Sequence, residues 1–167
     1  MRAFALLALI ACASKTPQPP AAPAPTPTAL AQLEAARDLA GTPVGHVDAP
    51  TLAIVFASWC EHCKAELGEL DAVRARHPNV RLLGVNYRGH EEYAARGSSA
   101  AVTAFAAQHA WLRVVPIDDV IWTALGSPPA IPTLYVYDSH GTLVRVFDRR
   151  SHVPDRSELE PLLSGLR

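Results

Sequence analysis

Two cysteines define the chemistry this chain can do. In Trp59-Cys60-Glu61-His62-Cys63 they stand three positions apart, a spacing that places both on one face of a helix. The preceding run, Thr51 to Ala57 (TLAIVFA), is continuously apolar and rich in β-branched residues, which predicts a central strand buried on both faces. Glu61 to Arg76 predicts a helix with Ala65, Leu70 and Val73 facing inward. Cys60 would then sit in the first turn, where unpaired backbone N–H groups and the helix dipole favour a thiolate. Such a thiolate attacks a substrate disulfide, and Cys63 resolves the mixed disulfide that results. Zinc sites use the same spacing, but zinc takes four ligands and the sequence holds no second C-x-x-C; neither a metal nor another cofactor is expected. Between the cysteines, a protonated His62 would stabilise the thiolate and make the couple more oxidising, while Glu61 opposes it. Both also read as ordinary exposed first-turn residues.

The N-terminus predicts export. Arg2 followed by the short apolar run Ala3 to Ala11 reads as a signal peptide, too short to span a bilayer. Leu9-Ile10-Ala11-Cys12 resembles the bacterial lipobox, which makes Cys12 a lipidation site and residues 1–12 a signal peptide. Cleavage after Ala13 at Ala11-Cys12-Ala13 is the alternative, and it would release a soluble periplasmic protein. Of the three cysteines, Cys12 thus belongs to the export signal, and no disulfide framework remains for the other two to staple.

Residues 13–28 carry six of the fifteen prolines and predict a disordered, extended tether. The folded domain is expected over residues 29–167. A helix is predicted from Ala29 to Ala40, capped by Thr28 and stopped by Gly41. After the redox helix come a buried strand (Val80 to Val85), a Ser98-capped helix to His109 with Val102 and Phe105 inward, and a short strand (Leu112 to Pro116). A short helix capped by Asp118 or Asp119 follows. Strands Thr133 to Tyr137 and Leu143 to Phe147, joined by a turn with Gly141, predict a hairpin, and Pro154 to Leu166 a closing helix. Strands separated by helices pair in parallel and the hairpin adds an antiparallel edge, giving an α/β domain with a central mixed sheet flanked by helices. The net charge of −1 gives no reason to expect a nucleic-acid partner, and a monomer is expected.

Phe56-Ala57-Ser58-Trp59-Cys60-Glu61-His62-Cys63-Lys64-Ala65-Glu66-Leu67 resembles the active-site segment of the thioredoxin superfamily, particularly its exported TlpA/ResA-like branch. Ile131-Pro132-Thr133 resembles that family's cis-proline loop. The resemblance covers roughly residues 42–166 and implies the thioredoxin fold. It implies that Ile131-Pro132 is cis and that Pro132 lies beside Cys60 to receive an extended substrate strand. It implies that Glu66, one helical turn past Cys63, takes the Cys63 proton during resolution; a solvated helix glutamate is the plainer alternative. Trp59 reads as a packing residue flanking the site. Two departures stand out. Ile54 replaces the buried aspartate of thioredoxins proper, and Gly68 replaces the helix-kinking proline.

The function implied is a membrane-tethered, periplasmic thiol–disulfide oxidoreductase. It would reduce disulfides of exported proteins, apocytochrome c among the candidates, with electrons from a membrane thiol–disulfide donor. Two rivals carry less. A DsbA-like oxidant would bring a large helical insertion before the cis-proline strand, and Val80 to Ala130 has room for only modest helices. A Sco-like copper chaperone, with His152 as distant ligand, would need C-x-x-x-C.

Overall fold

A computed structural model describes residues 28–166. The expected signal peptide, the lipidation site Cys12 and all of the expected tether but Thr28 lie outside the described residues.

The central strand β1 (Thr51–Phe56) is buried throughout. It pairs in parallel with β2 (Arg81–Tyr87), which pairs in parallel with β3 (Arg113–Ile117). On its other side it pairs antiparallel with β4 (Thr133–Tyr137), and β4 with β5 (Leu143–Asp148). The order is β3-β2-β1-β4-β5. This mixed sheet is the one expected, because β1 and β2 are reached through the redox helix α2 (Glu61–Arg76) while β4 and β5 meet across a tight turn. At that turn Gly141 takes φ +79°, a conformation glycine adopts at no steric cost. Helix α1 (Ala29–Ala35) and the short α3 (Arg88–Glu91), α4 (Ser99–Gln108) and α5 (Asp119–Ala124) complete the domain with α6 (Arg156–Ser164). α2 packs beside α6 and α1 beside α5.

The register does one thing for the site. Val55 lies opposite both Val85 and Thr133. The residue before Thr133, Pro132, is therefore brought alongside the exit of β1, from which the chain turns toward Cys60.

Side-chain caps account for several boundaries. Thr28 Oγ1, Ser98 Oγ and an Asp155 carboxylate oxygen each accept a backbone N–H of the first turn beyond them. Asp118 caps α5, which settles the choice between Asp118 and Asp119.

Two expectations are corrected, and one segment carried no expectation. α1 stops at Ala35 rather than Ala40, because the Asp38 carboxylate accepts the N–H groups of Ala40 and Thr42 and so builds a turn in place of helix. Asp38 is held there by Arg113 at 2.9 Å. Ala65 is exposed; the inward stripe is Cys63, Glu66, Leu67, Leu70 and Val73. Residues 88–95, which show no apolar periodicity, form α3 and a 3-10 turn (Tyr93–Ala95). In that turn Ala94 and Ala95 adopt left-handed φ values of 50° and 56°.

Candidate active site

Cys60 occupies the N-cap of α2, one position before the first turn, with extended backbone. Its sulfur accepts the N–H of Cys63 at 3.2 Å, so the cap role usually filled by a serine or aspartate oxygen falls to a thiolate-forming atom. The two cysteines form a disulfide with Cα atoms 5.2 Å apart. Cys63 is fully buried and Cys60 4 % exposed. Glu61 and His62 point outward, and Glu61 pairs with Lys64 at 2.6 Å.

The Ile131-Pro132 peptide is cis and both residues are buried. Ile131 shares with Trp59 and Cys60 the wall of a surface groove of about 540 Å³. The redox pair and the proline loop, some seventy residues apart in the chain, are thus brought to one site.

Two buried carboxylates flank this site in different states. Glu66, on the buried stripe of α2, is 4 % exposed and its Oε1 has no hydrogen-bond partner. Burial pushes its pKa up to about 7, the Glu69 charge adds to the rise, and His152 offsets it. The solvated-glutamate alternative is thereby excluded. His152 itself is paired with Glu158.

The second carboxylate, Glu91, was not marked by any sequence pattern. It is 2 % exposed and fully bonded. Ser58 donates its N–H at 2.8 Å and its hydroxyl at 2.5 Å, and Asn86 Nδ2 donates at 3.0 Å. The Glu91 carbonyl accepts Trp59 Nε1–H at 2.9 Å. Asn86 also donates to the carbonyl of Phe56, the last residue of β1. The Phe56 carbonyl, the Ser58 N–H and hydroxyl and the Trp59 indole are therefore tied to Glu91 or to its partner Asn86. Gly97 makes the arrangement possible: a Cβ there would collide with the Glu91 carboxylate and stand 2.7 Å from its carbonyl oxygen. Trp59 is half-buried, and the Arg96 guanidinium lies over its ring at 5.0 Å. Asn86 was the available signal, a lone amide next to the end of a mostly apolar strand.

Among the described residues, no group of three or more His, Cys, Asp or Glu side chains is placed to hold a metal ion. No helix among them is long and apolar enough to cross a membrane.

No protein-family model matches the sequence, and comparison with curated proteins gives no match. Solved structures do match. A secreted Mycobacterium tuberculosis disulfide oxidoreductase homologous to Escherichia coli DsbE is 23 % identical, with a TM-score of 0.64 over 81 % of this chain and 98 % of that one. StoA of Bacillus subtilis is 18 % identical, with a TM-score of 0.58 over 75 % and 92 %. An exposed lipoprotein thioredoxin of Streptococcus pneumoniae is 20 % identical, with a TM-score of 0.57 over 72 % and 87 %. The chain has the thioredoxin fold. At these identities the likeness concerns the backbone arrangement, and the chemistry rests on this chain's own residues.

Two outcomes follow from the carboxylates. Replacing Glu91 by alanine strands buried donors on Ser58 and Asn86 and should lower stability by about 2–4 kcal/mol; an unchanged denaturation midpoint would show that the carboxylate holds nothing. For Glu66 the folded-state pKa lies above the ordinary carboxyl value, so the native state binds the extra proton and stability falls as pH rises from 4.5 to about 7. Glu66→Gln should remove that slope, measured as melting temperature against pH.

Proposed function

We propose that this chain is an exported thiol–disulfide oxidoreductase that reduces disulfides in other exported proteins. The observation that carries the reading is the disulfide at the N-cap of α2, placed beside the cis Ile131-Pro132 loop at one surface groove. In the reduced form the Cys60 thiolate is favoured by the free N–H groups of the helix start. It attacks one sulfur of a substrate disulfide, the substrate S–S bond breaks, and one substrate thiolate leaves. Cys63 then loses its proton, attacks the Cys60 sulfur and releases the second substrate thiol. Two electrons have passed to the substrate, and the chain is left as the Cys60–Cys63 disulfide.

Glu66 suits the proton step. It lies one helical turn from Cys63 on the same buried stripe, and a carboxyl that titrates near 7 can both accept and return a proton at neutral pH. Pro132 and Ile131 suit the role of a ledge for an extended substrate segment. Glu61 and His62, both exposed, suit tuning of the couple with opposite signs. Regeneration of the dithiol needs an external reductant, for which a membrane thiol–disulfide donor is the fitting class.

Location belongs to the same reading. A lipidated Cys12 would hold the domain on the outer side of a bacterial membrane through the proline-rich segment. A mass spectrum should show a diacylglycerol-modified N-terminus at Cys12; an unmodified N-terminus at Ser14 would mean a soluble periplasmic protein.

The catalytic test is direct. The reduced chain should reduce insulin or a model disulfide, Cys60→Ser should abolish this, and Cys63→Ser should trap a mixed disulfide. Full turnover by Cys63→Ser would refute the assignment of roles. The couple should lie between about −270 mV, as for thioredoxin, and about −120 mV, as for DsbA, nearer the reducing end. Equilibration with glutathione would read it, and a value at the DsbA end would make the chain an oxidant.

A further inference from the structure

The groove beside Cys60 carries an unused positive charge. Its wall includes Trp59, Cys60, Arg96, Pro129, Ile131 and Arg149. Arg96 and Arg149 are both exposed, and among the described residues neither guanidinium hydrogen-bonds or pairs with a carboxylate. Several other arginines of the domain are paired with carboxylates: Arg81 binds Glu34, Arg113 binds Asp38, Arg76 binds Glu160, and Arg88 binds Glu92. The one carboxylate on the groove wall, Glu61, is already paired with Lys64. His62, the remaining titratable group of the wall, adds positive charge when protonated.

Arg96 is not a loose surface side chain. Its guanidinium is stacked over Trp59, whose indole N–H is fixed by the Glu91 carbonyl, and its neighbour Gly97 is pressed against Glu91. The network that sets Cys60 in place therefore also sets Arg96. Arg149 follows directly after Asp148, the last residue of β5, whose own partner across the sheet is Thr133 of the proline strand. The two guanidinium groups thus come from opposite sides, one from the Trp59 side and one from the Pro132 side. A second, smaller hollow of about 300 Å³ continues the groove past Trp59 and Ile131 to His90 and Tyr93. Its lining is mostly apolar and aromatic, so the guanidinium pair lies at one end of the groove, around Cys60, and an apolar lobe at the other.

We propose that this groove selects protein substrates whose disulfide-bonded cysteine is flanked by acidic residues. The inference rests on the oxidoreductase reading and adds its substrate class. With the substrate sulfur opposite Cys60, a carboxylate on a flanking residue meets Arg96 or Arg149 as the segment lies along the cis-proline loop. Arginine suits this use, because its planar donor fork matches a carboxylate. Opposite charges across the groove raise the encounter rate and set which segment fits, and they act before any sulfur exchanges. The exchange itself is unchanged: Cys60 attacks, the substrate thiolate leaves, and Cys63 closes the protein disulfide.

The test uses cysteine peptides held as mixed disulfides with 2-mercaptoethanol, identical except for Asp, Asn or Lys on both sides of the cysteine. The dithiothreitol-reduced full chain is mixed with each in single turnover. The Asp peptide should react about fivefold faster than the Asn peptide, the size expected of two partly exposed ion pairs, and the Lys peptide should be slowest. Raising the salt concentration should shrink the preference. In Arg96→Gln/Arg149→Gln the ratio of the Asp rate to the Asn rate should fall to near one, whatever the absolute rates. Equal rates for all three peptides, or a ratio unmoved in the double variant, would overturn the proposal while leaving the oxidoreductase reading intact. Reaction with none of them would overturn both.

Discussion

A carboxylate buried beneath the end of the central strand sets the geometry on which the redox site depends. β1 is covered on both faces, and within four residues of its end the chain must bring a sulfur to the groove wall and begin a helix there. Glu91 makes that possible by accepting the backbone and hydroxyl of Ser58 and the amide of Asn86, while its carbonyl accepts the indole of Trp59. A buried carboxylate is tolerated only when its oxygens are well supplied with donors, and here two of the three come from Ser58, in the segment that has to be positioned. The exact path of the Ser58–Cys60 turn, the aim of the Cys60 sulfur toward Cys63 N–H and the seat of Arg96 all trace to this contact.

Glu66 shows what the same side chain becomes without donors. Both carboxylates are nearly inaccessible to water, yet Glu91 is bonded on both oxygens and Glu66 leaves one orphaned. Desolvation then outweighs the His152 charge at Glu66 and moves its titration to the neutral range. An uncompensated buried carboxyl weakens the fold once it is ionised, and stability alone does not account for it. Its place one turn past Cys63, on the helix that carries the redox pair, suits the proton-moving role proposed for it. The difference between the two acids follows from the number of hydrogen-bond donors each meets.

The sheet supplies the second constraint. Because β1 runs parallel to β2 and antiparallel to β4, the register that sets Val55 against Thr133 also sets the proline loop beside the exit of β1. That pairing closes the groove along which a substrate segment can lie. The resemblance in backbone to a secreted disulfide oxidoreductase and to an exposed lipoprotein thioredoxin survives at about one residue in five identical. Strand pairing of this kind is determined by burial and alternation more than by particular side chains.

Much of this was legible along the chain. The apolar run into β1, the hairpin around Gly141, the caps at Thr28 and Ser98, the cysteine spacing and the Ile131-Pro132 dipeptide are local patterns, and local patterns report on elements and on the reactive pair. Ala65 was misplaced because helix phase in α2 is decided by which side meets the sheet, and alanine is too small to argue for either side. The Asp38 turn shortened α1 because a distant arginine holds the aspartate in place. Glu91 was invisible for a stronger reason. It stands beside Glu92 in a polar stretch without periodicity, and only one of the two turns inward, toward donors on Ser58 and Asn86 up to 33 residues away. The raised pKa of Glu66 and the pairing of Arg96 with Trp59 are likewise properties of what folding brings near. A sequence states which groups are available; burial and long-range neighbours decide which of them are charged, bonded or free to react, because those depend on the distance between atoms and not on their order along the chain.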